Sequence, residues 1–236
     1  MVPNGDDRAL GQLSLAERLA RLQAGVTDAA MAAGRPASDI TTIVVTKFHA
    51  AGLVRELHAL GVRNFGENRH QEASAKAQEL ADLPEMTWHF VGQLQSKKAR
   101  QVATYAGVVH SIDRPALVTA LSVPRETPLD CFVQVNLTRD PARGGVAPNE
   151  LLPLVEQVLE TPALRLLGVM AVAPLDEGAR SAFARLKALS GEVTALAPDA
   201  DRISAGMSHD YREAIAEGAT HLRIGTAITG NRPVPG

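Results

Sequence analysis

The sequence predicts an α/β fold: a single (β/α)8 TIM barrel with an extra N-terminal helix and no added β-domain. Three observations predict it. Short apolar runs alternate with segments of helical period along nearly the whole chain. Eight such units within 236 residues suit a closed barrel better than an open doubly wound sheet. No Gly-x-Gly-x-x-Gly follows the first strand, so the dinucleotide-binding fingerprint of open sheets is absent.

Taken in order, residues 1–13 are polar and glycine-bearing and read as a flexible tail. The barrel unit is assigned to residues 14–230, and residues 231–236 to a C-terminal tail. Ser14 and Glu17 form a capping-box pattern ahead of Leu15, Leu19, Leu22 and Val26, a helix that Gly34 and Pro36 end. Strands are then expected at 41–48, 62–66, 88–92, 108–112, 131–137, 164–172, 201–203 and 221–224. The helices between them are expected at 53–60, 71–80, 97–105, 115–121, 151–159, 179–195 and 211–217. Ser96 is placed to cap the third of these, and Pro115 suits the first turn of the fourth. The last strand has only a weak helix after it, or none.

Composition narrows the function classes. The chain is 45% hydrophobic and 21% charged, enough for a sizeable core. Aromatics make up 3%, which argues against base-stacking platforms, and a net charge of −2 argues against a polyanion held by bulk electrostatics. Neither a nucleic acid nor a membrane is an expected partner: no apolar run approaches a membrane span, and the N-terminus lacks a signal pattern. The single Cys131 excludes an intrachain disulfide and fits a reducing cytoplasm. It alternates with Val133 and Val135 and reads as a buried apolar thiol. The seven histidines show no metal-ligand spacing, and no metal is expected.

The candidate site begins with two turns. Gly206-Met207-Ser208 is a strand-to-helix turn with Ser208 at the N-cap, and Gly225-Thr226 follows the last strand. Free amides at such turns, helped by the helix dipole, suit an anion. Adjacent βα turns of this kind are where TIM barrels hold a phosphate. Two residues break the apolar strand pattern nearby. Lys47 shares a face with Ile43 and Val45 at the end of the first strand, and Arg223 lies between Leu222 and Ile224 on the last. Closure makes those strands neighbours. A lysine at a half-desolvated strand end can have its pKa lowered and attack an aldehyde, although a lysine that snorkels to solvent is the plainer reading. Lysine, arginine and phosphate cup together suggest pyridoxal 5′-phosphate (PLP). An arginine at the ring nitrogen would keep it unprotonated and make a weak electron sink, which disfavours transamination and decarboxylation.

At this point the residues match a known pattern. Val44-Val45-Thr46-Lys47, Phe65-Gly66-Glu67-Asn68, Trp88-His89-Phe90-Val91-Gly92, Leu94-Gln95, Gly206-Met207-Ser208 with Asp210, and Arg223-Ile224-Gly225-Thr226 resemble the pyridoxal-phosphate homeostasis protein family. These barrels are similar to the N-terminal domain of alanine racemase. The resemblance implies PLP held as an internal aldimine on Lys47. It implies phosphate contacts from Ser208, Gly225 and Thr226, a ring-nitrogen contact from Arg223, and Asn68 and Met207 near the cofactor. It further implies a protein that buffers and delivers PLP without firm catalytic turnover, so no catalytic residue is assigned. Transient contact with PLP-dependent apo-enzymes is expected, with a monomer or weak dimer as the assembly. The family often has Asn where this chain has Lys97, Lys-x-Gly where it has Arg143-Gly144-Gly145, and an aromatic where it has Thr229.

Two alternatives stay open. A PLP-dependent amino-acid racemase needs acid–base groups on both faces of the substrate carbon. Tyr105 and Tyr211 lie on expected helices, so the second group is lacking. A barrel for another phosphorylated metabolite would use Lys47 as a simple charge. Lys97, Lys98 and Arg100 crowd one helix start; a solvated basic face is the favoured reading over a second anion site.

Overall fold

The computed structural model describes residues 13–138, 140 and 142–230. Eight parallel strands close into a barrel in sequence order. They are β1 (Thr41–Val45), β2 (Asn64–Glu67), β3 (Thr87–Phe90), β4 (Val108–Ile112), β5 (Leu129–Gln134), β6 (Leu164–Met170), β7 (Arg202–Ser204) and β8 (His221–Ile224). Helix α1 (Leu15–Ala32) precedes β1. The helices after successive strands are α2 (Ala51–Ala59), α3 (His70–Glu79), α4 (Ser96–Val102), α5 (Pro115–Leu121), α6 (Leu151–Leu159), α7 (Ala179–Leu196), α8 (Tyr211–Ala216) and α9 (Thr226–Thr229). The weak last helix is thus a single turn. Of the terminal tails expected at residues 1–13 and 231–236, residues 1–12 and 231–236 lie outside the described residues.

Several expected strands overrun at their C-terminal ends. β1 stops at Val45, not Phe48; β3 at Phe90, not Gly92; β5 at Gln134, not Leu137; β6 at Met170, not Val172. The surplus residues form the loops at the barrel's C-terminal mouth, where an apolar side chain can pack without ladder pairing. Ser96 is the first residue of α4, with Gln95 at the N-cap, so the expected Ser96 cap is corrected.

The capping box at α1 forms as the sequence predicts: the Glu17 N–H donates to Ser14 Oγ at 3.3 Å and the Ser14 N–H to Glu17 Oε2 at 2.7 Å. Its apolar stripe packs on α8 and α9, and Arg18 Nε donates to the Ile228 carbonyl at 2.6 Å. Gly25 permits close approach, since a Cβ there would lie 2.4 Å from the Tyr211 hydroxyl.

Strand alternation divides the core. Outward residues such as Val44, Phe65, Val109, Cys131 and Ile224 join one continuous cluster under the helices. Phe132, Met170 and Val108 form a separate cluster inside the ring. Register closes the seam: Ile43 pairs with Arg223 and Val44 with Ile224, so Arg223 shares the inward face of Ile43. Among the described residues, no helix is long and apolar enough to cross a membrane.

Candidate functional site

The expected site residues gather on one arc of the mouth. Lys47 follows β1, Asn68 follows β2, Met207 and Ser208 follow β7, and Gly225 and Thr226 follow β8. These four strands are consecutive around the ring. Arg223 lies on β8 just beneath.

Lys47 is held by its neighbours rather than by its own side chain. Thr46 is fully buried, and Lys76 Nζ on α3 donates to the Thr46 carbonyl at 2.8 Å. The same ammonium donates to Glu67 Oε1 at 2.6 Å, an oxygen that also accepts from Thr46 Oγ1 at 2.6 Å. On the other side, the Phe48 N–H donates to Glu72 Oε2 at 3.0 Å. Phe48 adopts φ 69°, a left-handed backbone that a bulky residue takes only when its surroundings impose it. So α3 grips the chain immediately before and after residue 47. Burial is the main cause that raises the Glu67 pKa; Lys76 and Thr46 oppose it.

The expectation of a half-desolvated Lys47 is corrected. Ladder pairing ends at Val45, and the Lys47 side chain is exposed, with Nζ 5.8 Å from the Phe48 ring centroid. The Arg69 guanidinium carbon is 5.0 Å from the same centroid.

Asn68 is brought in by a glycine. A Cβ on Gly92 would lie 2.3 Å from the Asn68 carbonyl oxygen, so only glycine lets the end of β3 approach this closely. Asn68 Oδ1 is buried with no hydrogen-bond partner among the described residues.

The two turns are joined. Ser208 Oγ accepts from the Ala227 N–H at 3.2 Å, which ties the turn after β7 to the start of α9. Ser208 is therefore not the N-cap of α8, as expected; Asp210 occupies that position, and its carboxylate accepts from the Met207 N–H at 2.6 Å. The reason is the tightness of the turn. Gly206 at φ 91° reverses the chain, and Met207 to Asp210 form a closed turn before the helix begins. Met207 and Thr226 are exposed. Among the described residues, nothing accepts a hydrogen bond from the amides of Ser208 and Gly225.

Arg223 is 5% exposed. Its Nη1 donates to Ser204 Oγ at 2.6 Å and its Nη2 to the Ala171 carbonyl at 2.9 Å. Both partners are neutral. No described carboxylate forms an ion pair with it, and burial lowers its pKa to about 10. A buried cation with only neutral acceptors and spare N–H groups favours an electron-rich ligand atom above it. With free turn amides, the unpaired Asn68 oxygen and a nearby lysine, these residues suit PLP.

Sequence reasoning missed the supporting residues. Ala73, Lys76 and Leu80 recur at helical spacing and are all buried; a lysine on that stripe was the available signal for an internal ion pair. Three histidines, His89, His110 and His221, meet inside the ring, which no linear spacing reveals. Among the described residues, no group of His, Cys, Asp or Glu could hold a metal ion.

Residues 18–233 match the family described as alanine racemase, N-terminal domain. A Pseudomonas aeruginosa protein named pyridoxal phosphate homeostasis protein is 44% identical, covering 93% of this chain and 96% of that protein. The solved structure of PipY from Synechococcus elongatus with PLP bound has a TM-score of 0.80 at 36% identity, covering 92% of this chain and 100% of that chain. An alanine racemase from Corynebacterium glutamicum has a TM-score of 0.65 at 18% identity and shares the fold alone; it covers 94% of this chain and 61% of that enzyme's chain.

Proposed function

The chain belongs to the pyridoxal phosphate homeostasis protein family, and on that premise we propose that it binds PLP at this mouth, buffers it and hands it on without catalytic turnover. The observation that carries the reading is Arg223: a buried guanidinium with no carboxylate partner among the described residues, beneath two linked turns whose amides at Ser208 and Gly225 no described residue engages. When bound, PLP supplies an aldehyde, a pyridine nitrogen and a phosphate dianion.

Each group has a counterpart in the chain. Lys47 offers the amine, and α3 fixes its backbone so that only the side chain need travel. Ser208, Gly225 and Thr226 offer amides and hydroxyls to the phosphate. Arg223 offers N–H donors to the ring nitrogen and, as a cation, keeps that nitrogen unprotonated, which disfavours carbanion chemistry. Asn68 and Met207 would lie near the cofactor. Residues 14–230 act as one PLP-binding unit. The recipients are PLP-dependent apo-enzymes met transiently, in the cytoplasm, by a monomer or weak dimer.

Adding PLP to the protein and recording the absorption spectrum tests the reading. Wild type should gain a band near the visible edge that borohydride bleaches, Lys47→Ala should not, and neither should racemise amino acids at enzymatic rates. A colourless wild type, or an unchanged band in K47A, overturns it.

A further inference from the structure

We propose that Asn64, His89, His110 and Ser204 form a hydrogen-bond chain of fixed direction inside the barrel, and that this chain positions Arg223 for the cofactor's ring nitrogen; the positioning half rests on the PLP reading, the directional half does not. The links run from the end of β7 across the ring to the start of β2. Arg223 Nη1 to Ser204 Oγ is 2.6 Å, Ser204 Oγ to His110 Nδ1 2.8 Å, His110 Nε2 to His89 Nδ1 2.9 Å, and His89 Nε2 to Asn64 Oδ1 2.9 Å.

The direction is set at the arginine end. A guanidinium only donates, so Ser204 Oγ must accept from it. Ser204 is fully buried, and its own hydrogen needs an acceptor. His110 Nδ1 is the partner in reach, so that nitrogen carries a lone pair. His110 then bears its proton on Nε2 and donates to His89 Nδ1. His89 in turn bears its proton on Nε2 and donates to the Asn64 side-chain oxygen. Every link points away from Arg223. A second proton on His89 would set two hydrogens face to face between the rings, and one on His110 would leave the buried Ser204 hydrogen without its acceptor.

The surroundings enforce the same state. His110 is fully buried, its ring stacked on Phe132 at 4.6 Å and edge-on to His221 at 6.3 Å. His221 bonds Thr220 Oγ1 instead and lies outside the chain. Burial, reinforced by His89, Arg223 and His221, holds His110 well below its ordinary pKa; burial, reinforced by His221, lowers His89 to about 3. The chain thus presents Arg223 with a lone pair that cannot rotate away. Two of the guanidinium's N–H groups are pinned, on Ser204 and on Ala171, and no other described residue takes the rest.

Nitrogen-15 spectra of histidine-labelled, PLP-free protein test the direction. His89 and His110 should both be neutral at about pH 6, each protonated on Nε2 alone. A cationic ring, or a proton on either Nδ1, overturns the proposal whatever PLP does. Ser204→Ala tests the positioning. Its Kd for PLP should rise about tenfold, its bound absorption maximum should move, and His110 should lose its single tautomer. S204A that binds PLP as wild type does, with the same spectrum, overturns that half. If S204A does not fold, Asn64→Leu at the far end should free the His89 tautomer and weaken PLP two- to threefold; unchanged binding there counts against positioning. Wild type that takes up no PLP overturns the PLP reading and the positioning half together, and leaves the nitrogen spectra to decide the direction.

Discussion

Lys76 Nζ lies 2.8 Å from the carbonyl oxygen of Thr46, which places a buried ammonium against the peptide bond that leads into Lys47. The same ammonium neutralises Glu67, itself 1% exposed. Lys76→Met should therefore strand a buried carboxylate and cost roughly 3–5 kcal/mol. The double variant Lys76→Met/Glu67→Gln should recover part of that loss. Urea unfolding of the two variants checks it, and a double variant worse than the single would contradict the pairing.

The proposed phosphate contact at Ser208 predicts a selective defect. Ser208→Ala removes the oxygen that ties the turn after β7 to Ala227. Affinity for PLP should fall by about one to two orders of magnitude, the cost of a lost hydrogen bond to a charged group. Affinity for pyridoxal, which has no phosphate, should scarcely change. Titration of both ligands separates a phosphate contact from a general loosening of the mouth.

Gly92→Ala would drive a methyl to 2.3 Å from a backbone oxygen of Asn68. The ends of β2 and β3 must then part, at a cost of roughly 1–3 kcal/mol. Both the unfolding midpoint and PLP uptake should drop. A variant as stable as wild type would mean that the two loops do not meet so closely.

Acid should destabilise the barrel early. Burial holds His89 at about 3 and His221 at about 4, against 6.5 for the free side chain, and holds His110 well below that ordinary value too. Below about pH 6.5 the unfolded chain binds protons that the folded chain refuses. The stability of the neutral rings is thus fully present above that value and declines as pH falls toward 4. The slope is ~1.4 kcal/mol per pH unit for each histidine, so a loss of at least ~2 kcal/mol is expected between about pH 6.5 and 5. Glu67, whose pKa is raised, acts in the opposite sense and loses its contribution as pH rises; it is one group against three. Denaturant midpoints measured across this range should fall with acidity, and a flat profile would contradict the neutral interior.

The barrel was legible because β-alternation and helical spacing are local signals, and the chain repeats them eight times. Arg223 and Lys47 stood out because each broke an apolar pattern. The exposure of Lys47 was not legible, since it depends on where pairing with β2 and β8 stops. The role of Ser208 was misread for a related reason: an N-cap is judged from the next few residues, whereas its actual donor, Ala227, arrives from the following βα unit. The imidazole chain needed the curled ring, which lets His110 on β4 reach Ser204 on β7 across the interior.

Because α3 moors the chain on both sides of residue 47, capture and release of a guest need no door to swing. The moving part shrinks to one four-carbon tether, turning about its own bonds on the nanosecond scale of exposed side chains. On the proposed reading, exchange between free and held vitamin is then paced by bond chemistry at the tip of that tether.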